Sequence, residues 1–274
     1  ESFFTSNTHD TLMFVTDRGQ LYWLKVYKIP EGSRTAKGKA VVNLIQLQPD
    51  EKIKAIIPTT DFDESKSLAF FTKNGIVKRT NLSEFKNIRS VGVRAISLDE
   101  NDELVTALIA QTYDDMPVTD PENELSVETE VLEVEELQNE IDEDNVNAEE
   151  DANSGDETML FVVTKKGMCL KFKISKVRQM GRTARGVTGI KFKEPGDEVV
   201  GAAVIESNDQ EILSISQKGI GKRTTADEYR LTNRGGKGVI CMKLTNRTGD
   251  LVGVVMVDEE QDIMALTSSG KMIR

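Results

Sequence analysis

The stretch SLAFFTKNG, from Ser67 to Gly75, decides the fold because its pattern returns along the chain. Each copy has an apolar run, then Ser or Thr, two polar residues and a glycine. The other copies are Thr11 to Gly19 (TLMFVTDRG), Thr158 to Gly167 (TMLFVVTKKG), Glu211 to Gly219 (EILSISQKG) and Asp262 to Gly270 (DIMALTSSG). Short apolar runs that end in a glycine turn are typical of β-hairpins. Their return at a long, regular period indicates a repeat architecture.

The residues after each turn glycine complete the repeat. In the fourth copy, Ile220 to Thr224, Val239 to Leu244 and Leu251 to Val257 are short and rich in β-branched residues, which predicts three further strands. A second glycine stands in the loop before the third predicted strand, at Gly38, Gly92, Gly186 and Gly238 in the four copies. Four short strands per repeat are typical of a propeller blade, and a single blade cannot bury both of its faces. The sequence therefore predicts an all-β, propeller-like ring of four-stranded blades.

The two ends of the sequence add incomplete repeats to the four complete ones. Ser2 to Thr5 resembles the last strand of a preceding blade, and Asp262 to Arg274 resembles the first hairpin of a following one. Two readings stay open: a fragment of an array of about six blades, or a ring of five whose last blade is built from both ends.

One interval between turn glycines is too long. The glycines are 56, 92, 52 and 51 residues apart, and the long interval holds residues 114–157, with 19 Asp and Glu and no Lys or Arg. We expect one domain of residues 1–113 and 158–274, interrupted by an insert that is disordered or partly helical. Two hypotheses stay open for the insert: a solvated excursion, or a mimic of a polyanionic ligand that competes with this ligand for the surface of the repeats.

The insert conceals the charge of the repeats. The whole chain has a net charge of −11, but outside the insert 35 Lys and Arg face 27 Asp and Glu, which gives +8. The repeats therefore form a basic domain that suits a polyanionic partner.

Other classes of protein find little support in the composition. No apolar run is long enough for a membrane span, so we expect a soluble, cytoplasmic protein. Cys169 and Cys241 have no metal-binding spacing and are expected to be reduced and buried. With His9 as the single histidine and no phosphate-cradling loop, we expect neither catalysis nor a cofactor or metal in this chain.

Basic residues recur at fixed places in the repeat. Four residues after the turn glycine stand Trp23, Arg79, Lys171, Arg223 and Arg274, and strand alternation predicts a cationic tip at this position. The loops around the second glycines are also basic, and small residues there let the backbone approach phosphate closely. The predicted DNA-binding residues are Arg34, Lys37, Lys39, Arg79, Arg89, Arg94, Lys171, Arg182, Arg185, Arg223, Arg234 and Lys237.

Two interpretations of the loop glycines stay open. They supply a positive φ at a tight turn, or they bring amide donors to a phosphate. The pair Gly235 and Gly236, between Arg234 and Lys237, favours the second interpretation. Because base-reading helices and zinc-ligand spacing are absent from the sequence, the expected ligand is double-stranded DNA bound without sequence preference and bent or wrapped.

At three places the sequence resembles the C-terminal domain of the bacterial DNA gyrase A subunit. These are KVYKIPEGSR (Lys25 to Arg34), GIGKRT (Gly219 to Thr224) and NRGGKGV (Asn233 to Val239). The resemblance implies a β-pinwheel, in which blades exchange strands and DNA wraps around the basic outer edge to support negative supercoiling. It also implies that the catalytic tyrosine and the ATPase lie outside this chain, in the gyrase B subunit of a heterotetramer or elsewhere in the gyrase A polypeptide.

One motif of that family is missing. No stretch matches the Q-R-R-G-G-K-G box in full, although Arg234 to Gly238 shares R-G-G-K-G in a later blade. The related domain of topoisomerase IV, which bends DNA without a full wrap, therefore stays open as an alternative. A second, independent alternative is a propeller that docks another protein and whose cations only keep it in solution.

Overall fold

The computed structural model describes residues 4–33, 35–87, 91–112, 158–259, 261–266 and 272–273. The acidic insert at residues 114–157 lies outside the described residues. Within them, short 3-10 helices connect the strands, and no helix has the length and apolar character of a membrane span.

Four antiparallel sheets and one further hairpin make up the described chain. The first sheet holds β1 (Thr11–Thr16), β2 (Gln20–Lys25), β3 (Ile53–Thr59) and β6 (Val93–Arg94) in the order β3-β1-β2-β6. The second holds β4 (Lys66–Thr72), β5 (Ile76–Asn81), β7 (Leu104–Gln111) and β10 (Val187–Thr188) in the order β10-β5-β4-β7. The third holds β8 (Met159–Thr164), β9 (Met168–Lys173), β11 (Val199–Ile205) and β14 (Val239–Ile240) in the order β11-β8-β9-β14. The fourth holds β12 (Glu211–Ser216), β13 (Gly221–Thr225) and β15 (Leu251–Val257) in the order β13-β12-β15, and β16 (Ala265–Leu266) pairs with β17 (Met272–Ile273).

Five 3-10 helices connect the strands. They are Val26–Lys28, Val41–Asn43, Leu82–Phe85, Ile174–Lys176 and Ala226–Glu228. Four of them directly follow the second strand of a repeat, and the remaining one, Val41–Asn43, follows the second glycine of the first repeat.

Neighbouring repeats exchange a strand. The two-residue strand β10 belongs by sequence to the third repeat but pairs with β5 of the second sheet. In the same way, β6 pairs with β2 and β14 pairs with β9. The structure thus corrects one expectation: the strand predicted from Val239 to Leu244 is only two residues long and completes the preceding sheet. The pairing confirms the β-pinwheel that the family resemblance implies.

The two edges of each sheet have different neighbours. The last strands β3, β7, β11 and β15 contact one another in succession, and the amide of Val199 at the start of β11 donates to the carbonyl of Lys73 in the preceding repeat (3.0 Å). The opposite edge carries the exchanged strand, and we call it the exchange edge.

The hydrophobic core lies between adjacent sheets. Met13, Val15 and Leu21 of the first sheet pack with Leu68 and Phe70 of the second. All residues of β1 and β8 are buried. Neighbouring sheets cover both faces of β8, whereas one face of β1 packs on the second sheet and the other on loop residues around Ile45 of its own repeat. This explains why their sequences read as continuous apolar runs rather than alternating ones. Cys169 and Cys241 are free and buried in the core between the third and fourth sheets, as predicted.

The turn glycines hold the exchanged segments. Gly75 has a φ of 84°, and a β-carbon there would lie 2.6 Å from the carbonyl oxygen of Ile190. Its own carbonyl accepts hydrogen bonds from the amides of Gly189 (2.8 Å) and Ile190 (3.2 Å) in the following repeat. Gly19 and Gly167 bind the next repeat in the same way. Glycine is therefore required at this position for two reasons: the turn needs a positive φ, and another segment of the chain approaches too closely for a side chain.

The structure describes part of each incomplete repeat that the sequence predicts at the two ends. The antiparallel pair β16 and β17 forms the expected last hairpin. At the other end, Phe4 and Thr5 of the predicted strand at 2–5 lie in no strand, and the first three residues are outside the described part of the chain.

Candidate nucleic-acid interface

The basic loops of the third and fourth repeats lie at the exchange edge. Each of these two loops leads directly into an exchanged strand: residues 181–186 precede β10, and residues 233–238 precede β14. The basic loop of the first repeat instead leads into the 3-10 helix Val41–Asn43. Strand exchange therefore places the loop of one repeat against the sheet of the repeat before it. This arrangement brings cations of successive repeats onto one edge.

The second glycines serve this packing. Gly186 has a φ of 103°, and a β-carbon there would lie 2.7 Å from the carbonyl oxygen of Val77 on β5. Gly238 lies equally close to the backbone of Cys169 on β9. These glycines thus have the conformational role that the sequence left open.

The pair Gly235 and Gly236 also has backbone partners. The amide of Gly235 donates to the carbonyl of Gly189 (2.6 Å), and the carbonyl of Gly236 accepts from the amide of Lys191 (2.9 Å). The structure therefore corrects the interpretation that favoured phosphate binding at Gly235, because the amide of Gly235 is already used between two repeats.

Arg79 and Lys171 do not form the cationic tip that the strand pattern predicted. Their exposed fractions are 5% and 4%. The loop of the next repeat runs over both: the amide of Met180 donates to the carbonyl of Arg79 (2.9 Å), and that of Thr232 donates to the carbonyl of Lys171 (2.9 Å). We withdraw both residues from the candidate set, since a covered side chain cannot reach a DNA phosphate.

The Lys171 ammonium instead binds within the protein. It donates to the carbonyl of Ala226 (2.7 Å) and to Oδ1 of Asn208 (3.2 Å), both in the next repeat. Burial lowers the pKa of Lys171, and the nearby charge of Asp227 opposes that shift. Its charge therefore supports the junction between repeats.

The equivalent positions in the outer repeats differ. Arg223 on β13 is exposed, and its Nε lies 3.2 Å from Oε2 of Glu211. Trp23 on β2 is half-buried and packs against the core between the first two sheets. Arg274 lies outside the described residues. This position is therefore exposed or buried according to whether a following loop covers it.

The remaining candidates fall into three groups. Lys37, Lys39, Arg94 and Lys237 are exposed. Arg34 and Arg89 lie outside the described residues, so their placement stays a prediction. Arg182, Arg185 and Arg234 have partners at the surface and are described next.

Two of these arginines form ion pairs with the second repeat. Nε of Arg182 lies 3.9 Å from Oε2 of Glu84, and the Arg185 guanidinium pairs with Asp99. All four side chains are more than a third exposed. Exposed ion pairs contribute only about 0–1 kcal/mol, so a phosphate can replace either carboxylate.

Arg234 is held by carbonyl groups rather than by a carboxylate. Its Nε donates to the carbonyl of Lys176 (2.8 Å), and its Nη1 donates to that of Thr188 (3.1 Å). These bonds leave the positive charge uncompensated and fix the guanidinium at the exchange edge, where it remains exposed.

A buried lysine anchors the loop of the third repeat. Lys78 on β5 is 0% exposed, and its ammonium donates to the carbonyls of Ala95 (2.5 Å) and Arg182 (2.6 Å). Burial lowers the pKa of Lys78 to about 7, while Glu84 opposes the shift and Arg182 adds to it. One side chain thus ties the second repeat to the loop that carries Arg182 and Arg185.

Sequence reasoning missed a further set of surface cations. Lys86, Arg178 and Arg230 stand eleven residues after their turn glycines, just beyond the 3-10 helix of each repeat, and all are exposed. Their constant distance from the glycine was a readable signal. The bond from Arg234 to the Lys176 carbonyl shows that this region borders the basic loops.

Comparisons with known proteins agree with this architecture. Residues 10–60, 66–111, 158–206 and 210–258 match the model of the family described as "DNA gyrase C-terminal domain, beta-propeller". The four matched ranges coincide with the four complete repeats and omit the acidic insert.

Curated relatives include the DNA gyrase A subunit of Campylobacter fetus, 73% identical over 279 residues, and that of Helicobacter pylori strain 26695, 50% identical over 275 residues. Both alignments cover the whole of this chain. The chain spans only 30% and 28% of the length of these two relatives.

Two solved structures have the same fold. The C-terminal domain of DNA topoisomerase IV gives a TM-score of 0.71 and the DNA gyrase A C-terminal domain one of 0.70, both at 24% identity. Each alignment covers 97% of this chain, and 69% and 72% of the respective structure. At this identity the likeness shows the fold alone, so it does not favour topoisomerase IV. The family match, which covers most of the chain, shows that the chain belongs to the family of DNA gyrase C-terminal domains.

Proposed function

We propose that this chain binds double-stranded DNA through the phosphates, without sequence preference, and bends or wraps it. The observation that carries this proposal is the exchange edge. Strand exchange sets basic loops of successive repeats side by side, and Arg94, Arg185, Arg234 and Lys237 are all exposed there. Surface charge that served only solubility would not need a fixed place in each repeat.

The mechanism rests on neutralisation of phosphate charge. Each Lys or Arg that contacts a phosphate releases condensed counterions, so affinity falls as the salt concentration rises. A duplex that follows the edge from one repeat to the next must bend, and the added contacts offset the bending energy of about 1–6 kcal/mol. Lys37, Lys39 and Arg223 are exposed and belong to the same set, together with Arg34 and Arg89.

We further propose a place for this chain in a larger enzyme. The curated relatives are DNA gyrase A subunits, each roughly three times as long, so the chain would be the DNA-wrapping part of such a polypeptide. Its partners in a heterotetramer would be a gyrase B subunit and the remainder of the gyrase A polypeptide, located with the bacterial nucleoid in the cytoplasm. Strand passage and ATP hydrolysis, and so negative supercoiling, would depend on catalytic groups elsewhere.

A cyclisation assay tests the bending. Ligation closes a linear duplex of about 150 base pairs slowly, because this length is close to the persistence length of DNA. We expect the chain to raise the closure rate about tenfold or more, since each 1.4 kcal/mol of bending energy offset gives a factor of ten. A domain that only docks another protein would leave the rate unchanged, and that result would overturn the proposal.

A further inference from the structure

Two junctions between repeats at the exchange edge have equivalent hydrogen bonds but different net charges. The 2–3 junction consists of Glu84 and Asp99 of the second repeat with Arg182 and Arg185 of the third. The 3–4 junction consists of the residues at equivalent positions, Lys176 and Lys193 of the third repeat with Arg234 and Lys237 of the fourth.

The equivalence follows from the hydrogen bonds. The amide of Ser97 donates to the carbonyl of Ala184 (3.2 Å) at the first junction, and the amide of Lys191 donates to that of Gly236 (2.9 Å) at the second. Asp99 and Lys193 each lie two residues beyond these donors. Glu84 and Lys176 each lie nine residues after a turn glycine.

The charges of the 2–3 junction cancel. Glu84 lies 3.9 Å from Arg182, and Asp99 pairs with Arg185, so the four side chains sum to zero. At the 3–4 junction the four side chains sum to +4. Among the described residues, no carboxylate lies within ion-pair distance of any of them.

The 3–4 junction also has more cations around it. Lys191 and Arg178 belong to the same repeat and are exposed, and the Lys191 amide bonds directly to the loop between Arg234 and Lys237. Like charges on one surface repel one another in the free protein, and a bound phosphate offsets that repulsion. At the 2–3 junction a phosphate must first displace a carboxylate.

We propose that the 3–4 junction is the primary phosphate-binding surface of the chain, and that Glu84 and Asp99 make the equivalent 2–3 junction a weaker, secondary one. This inference rests on the proposed function, because it assigns an unequal share of DNA binding to the two junctions. A duplex then binds first at the third and fourth repeats and spreads from there toward the second.

Two double variants that remove the same charge test the assignment. Lys176→Gln with Lys193→Gln removes two cations from the 3–4 junction, and Arg182→Gln with Arg185→Gln removes two from the 2–3 junction. Each phosphate contact makes the slope of log K against log salt concentration more negative by about 0.9, so it raises the binding constant about eightfold at 0.1 M salt relative to 1 M. We expect the lysine variant to weaken binding of a duplex of about 12 base pairs roughly 60-fold and to reduce the salt slope by about 1.8. We expect the arginine variant to weaken it less than about fivefold.

The acids provide a second test in the opposite direction. Glu84→Gln with Asp99→Asn frees both arginines and is expected to tighten binding roughly three- to tenfold. Glu228→Gln with Glu206→Gln makes the same change in net charge at exposed acids outside both junctions. Glu228 is the equivalent of Glu84 in the fourth repeat, and Glu206 follows β11, at the sheet edge opposite the exchange edge. This control should tighten binding less than about twofold at roughly 0.1 M salt, where distant charges are screened.

The outcomes separate this inference from the proposed function. Thermal unfolding of each variant is the control for the fold, and we expect an unchanged transition because the replaced side chains lie at the surface. Equal losses from the lysine and arginine variants, or equal gains from the acid variant and its control, would overturn the inference alone. A chain that binds no DNA at low salt would overturn the proposed function and this inference with it.

Discussion

Replacement of Lys78 by Met should remove a pH dependence of stability that the wild-type chain has. The Lys78 side chain is 0% exposed, and its ammonium donates to the carbonyls of Ala95 and Arg182. Burial lowers its pKa to about 7, whereas a lysine in the unfolded chain has a pKa of about 10.4. Between these values the unfolded state binds more protons than the folded state, so the free energy of unfolding rises with pH.

The magnitude follows from the two pKa values. The slope approaches about 1.4 kcal/mol per pH unit once the folded lysine is neutral. Integration from about pH 7 to about pH 9 gives a gain of about 2 kcal/mol in the wild type. The Met side chain has no proton to release, so it does not gain. It also leaves the buried carbonyl of Ala95 without the donor Lys78, which costs about 1–3 kcal/mol, and removes the bond to the partly buried carbonyl of Arg182.

Urea unfolding at pH 7, 8 and 9 and constant salt measures the effect. The free energy of unfolding of the wild type should exceed that of Lys78→Met, and the difference should grow by about 2 kcal/mol from pH 7 to pH 9. Other titrating groups are common to both proteins and cancel in the difference. Lys86→Met, at an exposed lysine of the same repeat, is the matched control and should give a constant difference. A margin for Lys78→Met that stays constant with pH would refute the reasoning.

Three further predictions follow from contacts between and within the repeats. Gly75→Ala should lower the free energy of unfolding by about 3 kcal/mol, and Gly219→Ala by only about 1 kcal/mol. Both glycines have a positive φ, but only Gly75 faces a backbone oxygen. Equal losses of stability in urea unfolding would contradict the role of Gly75 in strand exchange. Burial and the hydrogen bond from its hydroxyl to Glu51 (2.9 Å) raise the pKa of Tyr22 to about 12. Glu51→Gln should therefore lower that pKa in an ultraviolet titration of the phenolate, and an unchanged value would count against the contact. Glu198 pairs with Lys73 (3.2 Å) and Lys165 (3.0 Å), and both lysines lower its pKa. Because Glu198 is partly exposed, Glu198→Gln should lower the free energy of unfolding by less than about 1 kcal/mol at pH 7. A larger loss of thermal stability would show that these bonds matter more than surface ion pairs do.

The repeat architecture could be read from the sequence because its determinants are local. A turn glycine such as Gly75 and the apolar run before it lie within nine residues, and their regular return predicts the sheets. Contacts within one repeat add to these local signals. Oδ1 of Asp102, which precedes the last strand of the second repeat, accepts hydrogen bonds from the amides of Asn74, at the hairpin turn, and of Glu103 (both 2.9 Å).

The errors arose where neighbouring repeats meet, at residues that are far apart in the sequence. Strand alternation placed Arg79 on the same face as Val77, and both are buried. What the pattern could not reveal is that Gln179, a hundred residues later, would run beside Arg79 and cover it. The same holds for Gly235, whose amide is used by Gly189 of the preceding repeat. Such contacts depend on strand exchange, which leaves no mark in the local sequence.

The candidate site divides in the same way. Loop cations such as Arg185 and Lys237 are exposed as predicted, since their loops form the edge of the sheets. How much each cation contributes to DNA binding depends on its partners from another repeat. Arg185 pairs with Asp99, whereas Lys237 faces a junction whose other side chains are cations. Lys176 and Arg178 were missed because they follow the second strand of their repeat rather than its second glycine.

The dependence of DNA affinity on salt concentration tests the central claim most directly. Duplexes of the same length and unrelated sequence are titrated with the chain between about 0.05 and 0.3 M salt, in steps of about 0.05 M. The account predicts a linear fall of log K with log salt, with the same slope of about −4 or steeper for every sequence, because four or more cations replace counterions. A slope near zero, or an affinity that follows the base sequence at constant slope, would contradict phosphate binding at the exchange edge.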